Sequence, residues 1–376
     1  MLQRITASSL RLRTWPTMAL VGLLIACTPQ EPVQLGFLGG LSGRVADLGI
    51  GGRNGALLAV ELRNKAGGIN GRQIRLIAQD DQQDPEVAKQ AVTQLIDKKV
   101  VAIIGPMTSA MAVATVPLAN RAQVPMVSPT ATTSTLSGLD DYFLRVIAPA
   151  TDYARKSAAY HFNAQGSRRV AVAFDLRNQA YTESWLQDYR TSFQMLGGAI
   201  AVALSFTSND EMRFSEIATQ LLHAKPDSIL IVANSVDTAL LAQQVRKIDS
   251  AVQINTSEWA ATERLIELGG KAIEGVVIAQ FIERDSQQPS YLAFRKAYLE
   301  RFGQEPGFPG LTAFDATNVV LDALGAQTQG QDLKQAILAR PQYAGAQSLI
   351  RFDANGDSLR DTYMTTIRNG TFVRLR

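Results

Sequence analysis

Residues 100–129 read VVAIIGPMTSAMAVATVPLANRAQVPMVSP, and this stretch decides the fold. Two short uncharged runs, VVAIIGP (100–106) and VPMVSP (124–129), flank a helical segment that includes Met111 to Arg121. Apolar runs of this length, closed by glycine and proline, suit strands buried on both faces. Strand, helix and strand in thirty residues make a parallel unit, because parallel neighbours need a crossover of about a dozen residues or more.

The same alternation runs outward in both directions. Upstream lie VQLGFLGG (33–40) and RQIRLIAQDD (72–81), then a helix opened by Asp84-Pro85-Glu86, which has an N-cap acid and proline at its first position. Asn70-Gly71 marks a tight turn into the second of these strands. Downstream, after Ala148-Pro149, a second series begins: RRVAVAFDL (168–176), AIAVALSFT (199–207), DSILIVAN (227–234) and VQINTS (252–257). Helical patterns such as Phe214–Ala224 and Val236–Ile248 separate them. Two successive series predict an α/β protein of two doubly wound Rossmann-like lobes. From Ser348 to Arg376 the residues alternate around Asn355-Gly356 and Asn369-Gly370, which predicts antiparallel strands that complete the fold or cross between lobes.

Composition narrows the function classes. The 376 residues carry 37 Lys plus Arg against 34 Asp plus Glu, and Arg4, Arg11 and Arg13 account for the whole excess. A body with balanced charge and no basic block offers nucleic acid no electrostatic footprint. The basic start leads into an apolar run, Met18–Ala26, too short to span a bilayer, as expected of a secretory signal over residues 1–26. The run ends Leu24-Ile25-Ala26-Cys27, similar to a bacterial lipobox, and Cys27 is the only cysteine. It is the expected lipidation site at the head of a lipidated tether over 27–32, and the alternative is a buried or free thiol. A lone cysteine excludes internal disulfides and cysteine metal clusters. GxSxG, Walker A and HExxH motifs are missing, and His161 and His223 fall in helical patterns. No enzyme and no cofactor or metal is expected.

In open parallel sheets ligands lie beyond the carboxyl ends of the strands. After VVAIIGP come Met107, Thr108 and Ser109, whose hydroxyls either cap the next helix or, with its free amides, hold a carboxylate. After VPMVSP, seven of ten residues from Ser128 to Ser137 are Ser or Thr, a polar pocket wall or a solvated loop. After VQINTS comes Glu258-Trp259, a carboxylate able to bind an ammonium group or simply to face water. After AVAFDL, the segment Arg177 to Tyr181 starts a helix, and Tyr181 either covers a ligand or packs at the lobe edge.

These strand ends carry a resemblance. Leu41-Ser42-Gly43, Gly67-Gly68-Ile69-Asn70-Gly71, Asp80-Asp81, Asp84-Pro85, Gly105 with Ser109, Ser128-Pro129-Thr130-Ala131-Thr132, Tyr181, Glu258 and Phe352-Asp353 with Asn355-Gly356-Asp357 follow one another over some 325 positions. In that order the chain resembles the leucine/isoleucine/valine-binding proteins, type I periplasmic binding proteins that serve ABC transporters. The resemblance implies lobes joined by a multi-strand hinge, with residues 33–148 and 281–354 in the first and 149–280 and 355–376 in the second. It implies a solute carboxylate held by Ser109, Thr132 and nearby backbone amides. The solute ammonium is then held by the Thr130 carbonyl and Glu258, with Tyr181 closing over it. Leu48 and Asn234 stand where the family carries tyrosines, while Met107 and Trp259 favour a larger apolar side chain. The implied protein is a monomer in the bacterial envelope, lipid-anchored and extracytoplasmic, that binds an apolar amino acid and delivers it to an ABC permease. Its alternatives are a binder of aromatic acids, amides or urea, or an envelope lipoprotein that contacts another protein without a solute.

Overall fold

The computed structural model describes residues 30–375, so the expected signal and Cys27 lie outside the described residues. The first half contains β1 (Val33–Gly39), α1 (Ala46–Lys65), β2 (Ile74–Asp80), α2 (Pro85–Asp97), β3 (Ile103–Ile104), α3 (Ser109–Ala122), β4 (Met126–Ser128) and β5 (Phe143–Arg145). Its strands are all parallel, in the order β2-β1-β3-β4-β5. The N-cap expected at Asp84 is present, its carboxylate accepting from the Glu86 and Val87 amides at 2.8 and 3.0 Å.

The second half runs α4 (Ala150–Asn163), β6 (Arg169–Asp175), α5 (Gln179–Met195), β7 (Ala199–Phe206), α6 (Phe214–His223), β8 (Ser228–Val232), α7 (Ser235–Ile248), β9 (Gln253–Thr256), α8 (Glu263–Gly269) and β10 (Val277–Gln280). The chain then passes back beside the first half through α9 (Pro289–Phe302), α10 (Gly307–Ala326), α11 (Leu333–Leu338) and the small hairpin of β11 (Tyr343–Ala344) and β12 (Leu349–Ile350). It finishes as β13 (Tyr363–Arg368) and β14 (Thr371–Arg374), which extend the second sheet antiparallel across the Asn369-Gly370 turn, where both residues have positive φ. That sheet is ordered β7-β6-β8-β9-β10-β13-β14. Its parallel part repeats the topology of the first sheet, so each half has one switch point, β1/β3 and β6/β8, where diverging connections open a crevice.

Inward-facing residues are almost wholly apolar. Leu35, Phe37, Ile103 and Ile104 are buried in the first sheet, and Ile229 to Val232 in the second. Long α1 and α10 pack against each other at backbone distance. A Cβ on Gly55 would stand 2.0 Å from the Gly310 carbonyl oxygen, and one on Gly49 would stand 1.9 Å from that of Gly40. These glycines weaken α1 as an isolated helix, yet they let it lie flat against its neighbours.

Candidate functional site

The two switch points face one cleft. Its lining includes Leu48 from α1, Met107, Thr108 and Ser109 from the end of β3, Thr130 and Thr132 after β4, and Ile147 after β5. The second half contributes Asn178 and Tyr181 at the start of α5 with Glu258 and Trp259 after β9, and Phe308 enters from α10. Seven of the eight expected ligand residues therefore meet. Asn234 is not among the lining residues: it is the N-cap of α7, its Oδ1 accepting from the Asp237 amide at 3.0 Å and its Nδ2 donating to the Asp237 carboxylate at 2.7 Å.

Each polar side chain has a position set by its element. Thr108 precedes α3 without capping it, and Ser109 is the first residue of that helix. Ser109 Oγ accepts from the Thr132 and Thr133 amides, both at 3.2 Å, tying the start of α3 to the hydroxyl-rich loop. Ser128 strengthens this tie, donating to the Pro106 carbonyl at 2.7 Å and accepting from the Ala131 amide at 3.0 Å. The loop through Thr133 is therefore a wall of the cleft, while Ser134 and Thr135 beyond it are exposed. Thr108 Oγ1 and Thr132 Oγ1 are buried there without a hydrogen-bond partner.

Glu258 faces them from the other half. Trp185 Nε1, fully buried in α5, donates to its Oε2 at 2.9 Å, which fixes the carboxyl group, while Oε1 has no well-aligned donor. The Tyr181 hydroxyl lies beside Ser257 and Glu258, also without a well-aligned bond, and its ring meets Trp259 edge-on at 5.7 Å. Burial pushes the Glu258 carboxyl up to about 7, against the pull of its own backbone amide, Tyr181 and Trp185. No basic side chain forms an ion pair with it among the described residues.

This raised value has a consequence for stability. A carboxyl held higher in the fold than in the unfolded chain contributes stability that is full below about pH 4.5 and is lost as pH rises through 7. The solute-free Glu258→Gln protein is thus expected to match wild type near pH 5 and to melt higher at pH 8. Asp81 and Asp175, both buried and raised to about 6, act in the same direction in both proteins and cancel in the difference. Parallel melting curves from pH 5 to 8 would remove this account of Glu258.

The halves are joined across the cleft by more than apolar packing. Arg44, between β1 and α1, reaches the fully buried Asp237 carboxylate of α7 at 2.6 Å. Asp47 in the first turn of α1 accepts from Ser235 Oγ at 2.6 Å and Thr262 Oγ1 at 2.5 Å, where α7 and α8 begin. Thr133 Oγ1 donates to the Ala180 carbonyl at 2.6 Å. Drawn together in this way, the cleft encloses about 20 Å³, room for about one water. In this conformation the space is too small for a molecule of amino-acid size.

The family model for periplasmic binding proteins matches residues 32–371. The chain belongs to that family. Among its relatives is the leucine-, isoleucine-, valine-, threonine- and alanine-binding protein of Pseudomonas aeruginosa, 22% identical over 347 residues that cover 92% of each chain. A leucine-binding protein from Thermotoga maritima superposes with a TM-score of 0.84 at 26% identity, covering 92% of this chain and 98% of the other. A solute-binding protein from R. palustris, solved with benzoate, has the same fold, with a TM-score of 0.83 at 18% identity over 92% of this chain and 95% of the other. The fold is that of the type I periplasmic binding proteins, and the protein is a solute-binding protein.

Ile147, Phe308 and Asn178 were not marked as site residues by the sequence. Ile147 follows a three-residue strand and Phe308 comes from far along the chain, so neither carries a local signal. Asn178 could have been found, because it lies in the segment between β6 and Tyr181.

Proposed function

We propose that the cleft binds a free amino acid by both of its charges. The observation that carries this is Glu258, a buried carboxyl without a cationic partner, facing unpartnered hydroxyls beside a helix N-terminus. The ammonium group sits between Glu258 Oε1 and the Thr130 carbonyl. The carboxylate sits against Ser109, Thr132 and the first amides of α3, where the helix end favours an anion. Leu48, Met107, Ile147, Trp259 and Phe308 make the rest of the lining apolar, so once the halves part a branched-chain or other apolar side chain fits best. The names of its relatives support this reading.

The halves, 33–148 with 281–354 and 149–280 with 355–376, act as hinged lobes that hand the solute to an ABC permease. The protein works as a monomer outside the cytoplasm, held to a membrane by lipid on Cys27. No helix among the described residues is long and apolar enough to cross a membrane, which is compatible with such an anchor.

One observation favours a second solute class. A Glu258 carboxyl near neutrality can also donate a hydrogen bond, as an aromatic acid or an amide would require. A thermal-shift series at pH 6 and pH 8 with the common amino acids, benzoate and benzamide separates the readings, since a ligand of the native state raises Tm. Apolar amino acids are expected to raise Tm most, and more at pH 8. Stabilisation by benzoate alone, strongest at pH 6, would replace the amino acid with an aromatic acid. No stabilisation by any compound would leave an envelope protein that contacts a macromolecule.

A further inference from the structure

One amide in the first turn of α3 is already taken. Asn178, buried at the N-cap of α5, passes its Oδ1 across the cleft to accept the Ala110 N–H at 2.9 Å. Asparagine at an N-cap ordinarily turns its carbonyl onto its own helix. Here the side chain makes no such bond, and its acceptor serves the opposite half. Ala110 is the second residue of fourteen in α3, and an amide there has no acceptor within its helix. Thr108 Oγ1 and Thr132 Oγ1, buried and unpartnered, line the same cleft.

A carboxamide oxygen has the reach of a carboxylate oxygen without its charge. We propose that Asn178 is a built-in competitor for the solute's carboxylate and thereby sets the cleft's affinity. With no solute bound, Asn178 Oδ1 holds the Ala110 amide and draws the halves together. A solute carboxylate takes that amide over because a charge-assisted hydrogen bond is the stronger one. A carboxamide solute offers the same acceptor as Asn178 and gains nothing by displacing it. Acids are favoured over amides by the charge of their own acceptor, while Asn178 lowers apparent affinity for either by the share of protein that closes on itself. This rests on the carboxylate placement proposed above.

Two variants of opposite sign test it. Asn178→Ala removes the competitor, and calorimetry should show L-leucine or benzoate, whichever wild type binds, held roughly fivefold tighter, the worth of one net hydrogen bond. Asn178→Asp places a true carboxylate at the α3 amide and should weaken the same probe about tenfold or more. Benzamide should keep its ratio to benzoate in Asn178→Ala and lose less than benzoate in Asn178→Asp, where only the acid meets a like charge. Equal weakening by both variants, or no change in either, overturns the proposal.

A second measurement needs no ligand. Cys27 is the only cysteine, so Cys27→Ser with Gln90→Cys on α2 and Gln220→Cys on α6, both exposed, gives a clean spin-label pair across the halves. Without solute, Asn178→Ala should shift the distance distribution to longer values, while Asn178→Asp should keep it short. If wild type binds neither probe, the amino-acid and aromatic-acid readings fail, and these distances still decide the role of Asn178. Identical distributions in all three proteins overturn it.

Discussion

Glu258→Gln is expected to abolish amino-acid binding while the protein folds normally. The carboxyl group is buried, its Oε2 is fixed by Trp185 at 2.9 Å, and Oε1 lacks a well-aligned donor. Glutamine keeps the shape but loses the charge that would pair with an ammonium group. Truncating one side of a buried charge pair costs about 2–5 kcal/mol, or roughly 30- to 5,000-fold in Kd. The same substitution should raise Tm above pH 7, because an uncharged amide no longer meets the desolvation penalty that lifts Glu258 to about 7. Loss of binding together with a gain of stability is the mark of a residue kept for its ligand. Calorimetry with the amino acid that stabilises wild type best reads the first effect. Unchanged Kd would move the ammonium group away from Glu258, and weaker binding together with a lower Tm would make Glu258 a structural residue.

What the sequence made legible follows one physical rule. Strand ends are easy to place when strands are short, apolar and closed by Gly or Pro, and ligands in open parallel sheets gather there. Ser109, Thr130, Thr132, Tyr181 and Glu258 were all read at strand ends and all line one cleft. Long α1 was harder to see. Gly49, Gly51, Gly52 and Gly55 argue against a helix on propensity, yet Gly49 and Gly55 permit a close approach to the Gly40 and Gly310 backbones and Gly52 makes room for the Met107 side chain, neighbours far off in sequence or around a turn. Asn234 shows the opposite error. It stands at a strand end, but a short side chain with a helix start beside it caps that helix before it reaches a ligand. Arg44 and Asp47, which join the halves, are ordinary charges in the sequence and acquire meaning only from the second sheet packed against them.

Arg145→Met is expected to cause the largest loss of stability. Arg145 is fully buried in β5, and its guanidinium serves three segments at once. Its Nε donates to Asp357 at 2.7 Å, one terminal nitrogen donates to the Thr133 carbonyl at 2.8 Å, and the other reaches Ser137 Oγ. Asp357 also accepts the Gly138 amide at 2.9 Å, so the ion pair pins the second half of the hydroxyl-rich loop, from Thr133 to Gly138, against the late turn around Asn355-Gly356. Methionine fills much of the volume but leaves Asp357 without its cation and Thr133 without its donor. Breaking a buried pair in this way costs about 3–5 kcal/mol, a fall of roughly 4–7 °C in Tm for a cooperative unit of this size. Asp357→Asn should restore part of the loss in the double variant, because no uncompensated charge then remains buried, and a double-mutant cycle measures that coupling. Binding should weaken as well, since the Thr132 and Thr133 amides lose the support that keeps them beside Ser109. A melting temperature within a degree of wild type would show that the loop is held by Ser109 and Ser128 alone, and the Arg145–Asp357 pair would lose its place in the site.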